Sequence, residues 1–221
     1  EEVQQTYEYM QRTSKVPLLT AANLEDGGNG SSLEGTAFGN QMAVAATNQT
    51  SDAYTLGKIA SSEGKAVGVN FGFSPVVDLD LNFRNPITNV RTYGSDVERV
   101  IKNAKEYIQA FHDNGIMTSI KHFPGDGVDE RDQHLLTSIN SLSVDNWKKT
   151  FGKVYQELID FGSKAVMVGH IAFPAYSGDE MPATLSPQLL QDLLRNELGF
   201  NGLTITDATP MVGFCSAMKR S

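Results

Sequence analysis

Short continuous apolar runs alternate along this chain with stretches whose apolar residues recur at helical spacing. Residues 16–21 (VPLLTA) form the first such run and read as a buried strand. Residues 22–50 are rich in Gly, Asn and Ser and read as a long loop. Ser51 and Asp52 can cap a helix whose apolar positions are Leu56, Ile59, Ala60 and Val67. Residues 69–77 form a second strand-like run that stops at Asp78, and residues 80–94 are irregular. Ser95 with Glu98 three residues later is a capping box. It opens a helix with Val97, Val100, Ile101, Ala104, Ile108 and Phe111 on one face, closed by Gly115. Residues 116–122 are the next strand, followed by a polar loop over 124–134. Trp147, Phe151, Val154 and Leu158 mark another helix, closed near Gly162, and residues 165–171 another strand. Ser186, with Pro187 behind it, opens a helix carrying Leu189, Leu190, Leu193 and Leu194 that Gly199 ends. Residues 203–206 (LTIT) are the last strand, with Asp207 at its C-terminal end.

About five strand–helix repeats imply an α/β fold with parallel strands and helical crossovers, read as one domain over residues 1–221. Asn23, Glu25, Asp78, Lys121, His122, His170 and Asp207 all fall at or just after strand C-termini. A (β/α)8 barrel builds its site at that face, and an open α/β sheet binds ligands outside the same strand ends. A closed barrel needs eight strands. The chain signals five or six.

Composition narrows the function classes. Hydrophobic residues make up 40% and the formal charge is −8, which suits a globular protein and excludes a disordered tail or a coiled coil. An acidic chain lacks the clustered Lys and Arg of a nucleic-acid surface. No apolar run approaches the roughly 20 residues that span a bilayer, so no membrane partner is expected. One cysteine, Cys215, forms no internal disulfide, fits a reducing cytoplasmic compartment and reads as a packed thiol. The chain opens at Glu1 in a polar helix-like stretch without an initiator Met, so a fragment or a processed chain is expected.

The densest chemistry lies in KHFPGDGVDERDQH (121–134). Placing Lys121 and His122 at the end of an apolar strand is costly unless they do something there. In the Asp132-x-His134 pair a carboxylate can hold one ring nitrogen and leave the other free for proton transfer, or both can be plain loop side chains. Asp207 can be a nucleophile, a metal ligand or a helix cap. His112, His122, His134 and His170 lack any tight metal-ligand spacing, and no metal is expected. Gly27-Gly28-Asn29-Gly30 matches neither a P-loop nor a dinucleotide fingerprint, and no cofactor is expected.

These segments, in order, resemble the family 3 glycoside hydrolases, and within them the bacterial β-N-acetylglucosaminidases. The resemblance runs through PLLTAANLEDGG (17–28), EGTAFGNQMAVAAT (34–47), FSPVVDLD (73–80), NPITNVRTYGSD (85–96), KHFPGDG…DQH (121–134), VMVGHIAFP (166–174) and the stretch at 182–211 containing ITDA. It implies a TIM-type barrel, incomplete here, acting on a small carbohydrate through a covalent glycosyl-enzyme. It also implies Asp207 as nucleophile and His134, held by Asp132, as acid/base. Lys121, His122 and Arg91 would bind the sugar, with Asn23 and Glu25 beside them. Two positions depart from the family pattern: Asn23–Gly28 replaces the usual D-Q-E-G-G, and Asp126 follows KHFPG where His or Arg is usual. The expected activity is removal of terminal β-linked GlcNAc from peptidoglycan or chitin fragments. A phosphorylase or β-glucosidase on the same scaffold, and a non-catalytic sugar-binding chain, remain alternatives. An unclosed barrel exposes two sheet edges, so the chain is expected to be part of a longer protein or to self-associate through them.

Overall fold

A computed structural model of the chain describes residues 1–218. Its strands are β1 (Ala21–Ala22), β2 (Phe71–Gly72), β3 (Met117–Phe123), β4 (Ser138–Ile139), β5 (Ala165–Val168), β6 (Ile171–Ala172) and β7 (Leu203–Thr206). Its helices are α1 (Glu2–Thr13), α2 (Gln41–Ala46), α3 (Thr50–Ala66), α4 (Val97–Asp113), α5 (Val144–Lys149), α6 (Phe151–Phe161), α7 (Pro174–Ser177) and α8 (Val212–Met218). A π-wound helix, Gln188–Glu197, lies between α7 and α8. Five parallel strands form one sheet in the order β1-β2-β3-β5-β7, and β4 pairs with β6 in a second parallel ladder. Chain order equals sheet order, with helices on the crossovers, so the sheet is an incomplete TIM-type (β/α) barrel.

The core joins sheet and helices. Ile120, Phe123, Val166 and Val168 from the strands pack with Leu56, Val100, Ile108, Phe111, Phe151, Val154, Leu158, Leu189 and Leu193. These are the apolar stripes of the helix periods, and their burial is the main favourable term of the fold.

Several boundaries move from their expected places. The 16–21 run is not a buried strand: Val16, Leu18 and Leu19 are exposed, and only Ala21 begins a ladder, with Phe71. The 69–77 run keeps only a two-residue ladder with β3, after which Ser74 still accepts the Ser119 N–H at 3.1 Å and pairing resumes as a single Val76–Lys121 bridge. The 22–50 loop contains α2, whose N-cap Asn40 accepts from the Ala43 N–H at 2.9 Å. Helix α3 starts after Gln49, so Ser51 and Asp52 lie inside it. The cap of α4 is Asp96, accepting from the Arg99 N–H at 2.8 Å, rather than Ser95. Thr150 breaks the single expected helix into α5 and α6. The 165–171 run divides between β5 and β6, which belong to different ladders. Cys215 is exposed, its Sγ 3.3 Å from the Thr209 carbonyl oxygen. Among the described residues no helix is long and apolar enough to cross a membrane.

Candidate active site

The C-terminal ends of β3, β5 and β7 bring the polar residues together. Asp207 follows β7, and its N–H donates to the Val168 carbonyl at the end of β5, 2.9 Å away. Its Oδ1 accepts from the Ala208 N–H at 2.8 Å. Its Oδ2 lies 3.8 Å from His122 Nε2. Burial alone would raise the Asp207 carboxyl, but the His122 and Lys121 charges and the Ala208 N–H outweigh it and hold it below the usual range. Asp207 is therefore an anion, partly open to the cleft.

His122 is aimed by Asp78. Its Nδ1 stands 2.7 Å from Asp78 Oδ2, which fixes the ring with Nε2 toward Asp207. Asp78 Oδ1 accepts the backbone N–H groups of His122 at 3.2 Å and Asp126 at 2.8 Å. The Lys121–His122 peptide is cis.

Lys121 and Arg91 share a counter-charge. Glu25 receives Arg91 Nε at 2.9 Å and Nη2 at 2.8 Å, and Lys121 Nζ at 2.6 Å. Lys121 also donates to Asn23 Oδ1 at 3.0 Å. Burial pushes the Lys121 ammonium down, with Glu25 opposing it. For Glu25 burial pushes up, but the Arg91 hydrogen bonds and the Lys121 charge prevail and hold it far below the ordinary carboxylate range.

The second half of the site comes from the loop between β3 and β4. His134 Nδ1 lies 2.6 Å from Asp132 Oδ1, which also accepts the His134 N–H at 2.8 Å. A carboxylate only accepts, so Nδ1 carries the hydrogen and Nε2 is left free. The Val212 N–H donates to the His134 carbonyl at 2.9 Å, tying the loop to the start of α8. Behind Asp207, His170 Nε2 faces the Ala208 carbonyl at 3.0 Å and Nδ1 faces Thr184 Oγ1 at 3.1 Å. The carbonyl fixes the proton on Nε2, and burial lowers the His170 pKa, keeping the ring neutral.

Asp207, His134, His122, Lys121, Arg91 and Asn23 line one cleft of about 280 Å³, with Phe73, Met167, Thr206 and Ala208 completing its walls. Glu25 and Asp132 are not among its lining residues. They stand behind it, one neutralising Arg91 and Lys121, the other holding His134. Asp126, which the sequence marked only as a departure from the family pattern, and Gln133, which it did not single out, are buried supports. The signal was present in Asp126, an acid among apolar and glycine neighbours. Among the described residues no three His, Cys, Asp or Glu side chains converge to hold a metal.

Fold and site define a (β/α)-barrel protein whose acid–base groups gather at the C-terminal mouth of its strands. The chain belongs to the glycosyl hydrolase family 3 N-terminal domain family, whose sequence profile matches residues 1–220. It is 49% identical over 221 residues to a β-N-acetylglucosaminidase/β-glucosidase of Cellulomonas fimi, covering 96% of this chain and 39% of that protein. It is 33% identical to β-hexosaminidase A of Pseudoalteromonas piscicida, over 92% of this chain and 37% of the relative. A solved β-glucoside phosphorylase, BglX, superposes with a TM-score of 0.95 at 47% identity, over 99% of this chain and 42% of that one. A family 3 β-N-acetylglucosaminidase from Paenibacillus sp. str. FPU-7 superposes with a TM-score of 0.90 at 31% identity, over 97% of this chain and 42% of that one. The chain thus spans about two fifths of the length of these relatives.

Proposed function

We propose that the protein removes terminal β-linked N-acetylglucosamine from a saccharide, with retention of configuration. Asp207 attacks the anomeric carbon while protonated His134 gives its Nε2 proton to the departing glycosidic oxygen. The product of this step is a glycosyl ester on Asp207 and a neutral imidazole. His134 then takes a proton from water as its oxygen displaces Asp207, which restores both groups. Two carboxylates are the common arrangement for glycosidases, but the division between an attacking group and a proton carrier is the same. Arg91, Lys121, His122 and Asn23 are placed to hold sugar hydroxyls.

The observation that carries the proposal is the pairing of an ionised Asp207 with a His134 whose Nδ1 is held by Asp132, in one cleft. The names of the Cellulomonas fimi and Paenibacillus relatives support the choice of N-acetylglucosamine. Phosphorolysis is the second reading. A deprotonated imidazole is neutral and repels an incoming phosphate less than a carboxylate base would. The likeness to the β-glucoside phosphorylase favours it.

One experiment tests both. Turnover of a chromogenic β-GlcNAc glycoside is measured for the full-length protein and for Asp207→Asn, with and without phosphate. The substitution is expected to lower kcat by on the order of 10⁴ or more. Free GlcNAc as product supports hydrolysis, whereas phosphate-dependent sugar phosphate supports the second reading. Unchanged turnover by Asp207→Asn removes Asp207 as nucleophile.

A further inference from the structure

His134 sits on a largely exposed loop whose backbone is tied to the start of α8. Glu130, Arg131, His134, Leu135 and Leu136 are exposed, and from 130 to 136 Gln133 is the one buried residue. Its side chain is fully enclosed and doubly bonded. Nε2 donates to Asp126 Oδ2 at 3.2 Å, and Oε1 accepts the His170 N–H at 2.9 Å. Asp126 is itself buried, and its Oδ1 accepts from Asn85 Nδ2 at 2.9 Å and the Gly127 N–H at 2.7 Å. The N–H of Asp126 donates to Asp78 Oδ1, the carboxylate that aims His122.

Enclosing a carboxylate this deeply is unfavourable unless its oxygens are satisfied. Burial first, and then the charge of Asp78, push the Asp126 carboxyl up. Three donors converge on it nonetheless, and one of them is the side chain next to His134. Such a cluster is out of proportion to a surface turn.

We infer that Asp126 and Gln133 are positioning residues for His134: the Asp126 carboxylate grips the Gln133 amide, and that grip sets where the neighbouring imidazole stands over the cleft. The inference rests on the assignment of His134 as acid/base. Asp126 touches no reacting atom. It acts through Gln133, and Gln133 acts through the backbone it shares with His134. The amide has both ends engaged, so it cannot rotate to suit a new partner without giving up the His170 N–H.

The test is a leaving-group comparison on the full-length protein. An aryl β-GlcNAc glycoside with a dinitrophenolate leaving group departs without a proton, whereas an unactivated phenyl glycoside needs one. In Asp126→Asn an amide replaces the acceptor that faces three donors. Its kcat/KM on the phenyl glycoside is expected to fall about 10- to 100-fold, less than the roughly 10²–10⁴-fold typical for losing acid catalysis outright, with the dinitrophenyl glycoside little changed. Gln133→Ala removes the grip from the other side and is expected to give the same divergence if Asp126→Asn does not fold. Combining the two should add little, because both break one contact.

Equal losses on both glycosides, or no loss on either, would mean that the pair serves only stability, and the inference fails. His134→Ala is the control that separates the two levels. If it shows no leaving-group dependence, the assignment of His134 falls and the positioning role with it. If it shows the dependence and neither support variant does, the positioning role alone is wrong.

Discussion

Both oxygens of Glu25 face cations, and the side chains of Glu25 and Lys121 are 13% and 3% exposed. Removing one partner of a buried cluster leaves the others unpaired. Glu25→Gln is therefore expected to destabilise the protein by about 3 kcal/mol at neutral pH, measured by urea unfolding. The folded pKa lies below the ordinary 4.5, so the carboxylate's contribution is complete above that value. It fades as pH falls through the depressed folded value. The gap between wild type and Glu25→Gln should thus narrow in acid, and an equal gap at pH 7 and in strong acid would refute the charge argument. At this scale the sequence was informative about which residue types met, and silent on how. Asn23, Lys121, His122 and Asp207 stood out at strand ends and His134 in a polar loop, whereas Arg91, and the roles given to Asp207 and His134, came only with the family resemblance. Which carboxylate served which cation was not, since Glu25 and Arg91 are 66 residues apart.

The start of α4 shows what a local pattern can decide and where it stops. Ser95 and Asp96 are both good N-cap residues, and the capping-box spacing favours Ser95. The backbone chose Asp96, which accepts the Arg99 N–H. Asp96→Ala is expected to cost about 1 kcal/mol of stability, and Ser95→Ala less than about 0.5 kcal/mol. Thermal melts of the two variants check it, and a larger loss for Ser95→Ala would reverse the assignment. The long helices and the strands β3, β5 and β7 were readable because their apolar runs are long enough to be unambiguous. The short elements were not. Strands β4 and β6 have two residues each and exist because they find one another across the loop that carries His134. Helix α2 is a six-residue segment inside a Gly- and Asn-rich stretch, with its start marked by the Asn40 cap.

For the molecule as a whole, the sheet ends on β1 and β7, each with a single neighbour among the described residues. Leu203 on β7 is 41% exposed, and Val16, Leu18 and Leu19 lead exposed into β1. Unpaired strand edges with apolar flanks invite further pairing. A polypeptide of these 221 residues alone is expected to self-associate with rising concentration, as followed by light scattering. A monodisperse monomer at high concentration would show that the edges are adequately protected. The one tryptophan of the chain has a use in such work. Trp147 is fully buried, and its indole N–H donates to the Pro124 carbonyl at 2.7 Å, at the root of the loop that carries His134. Its fluorescence is an intrinsic optical gauge of that loop: a blue-shifted emission while the turn is seated, reddening when the turn lifts and water reaches the ring, with no label introduced.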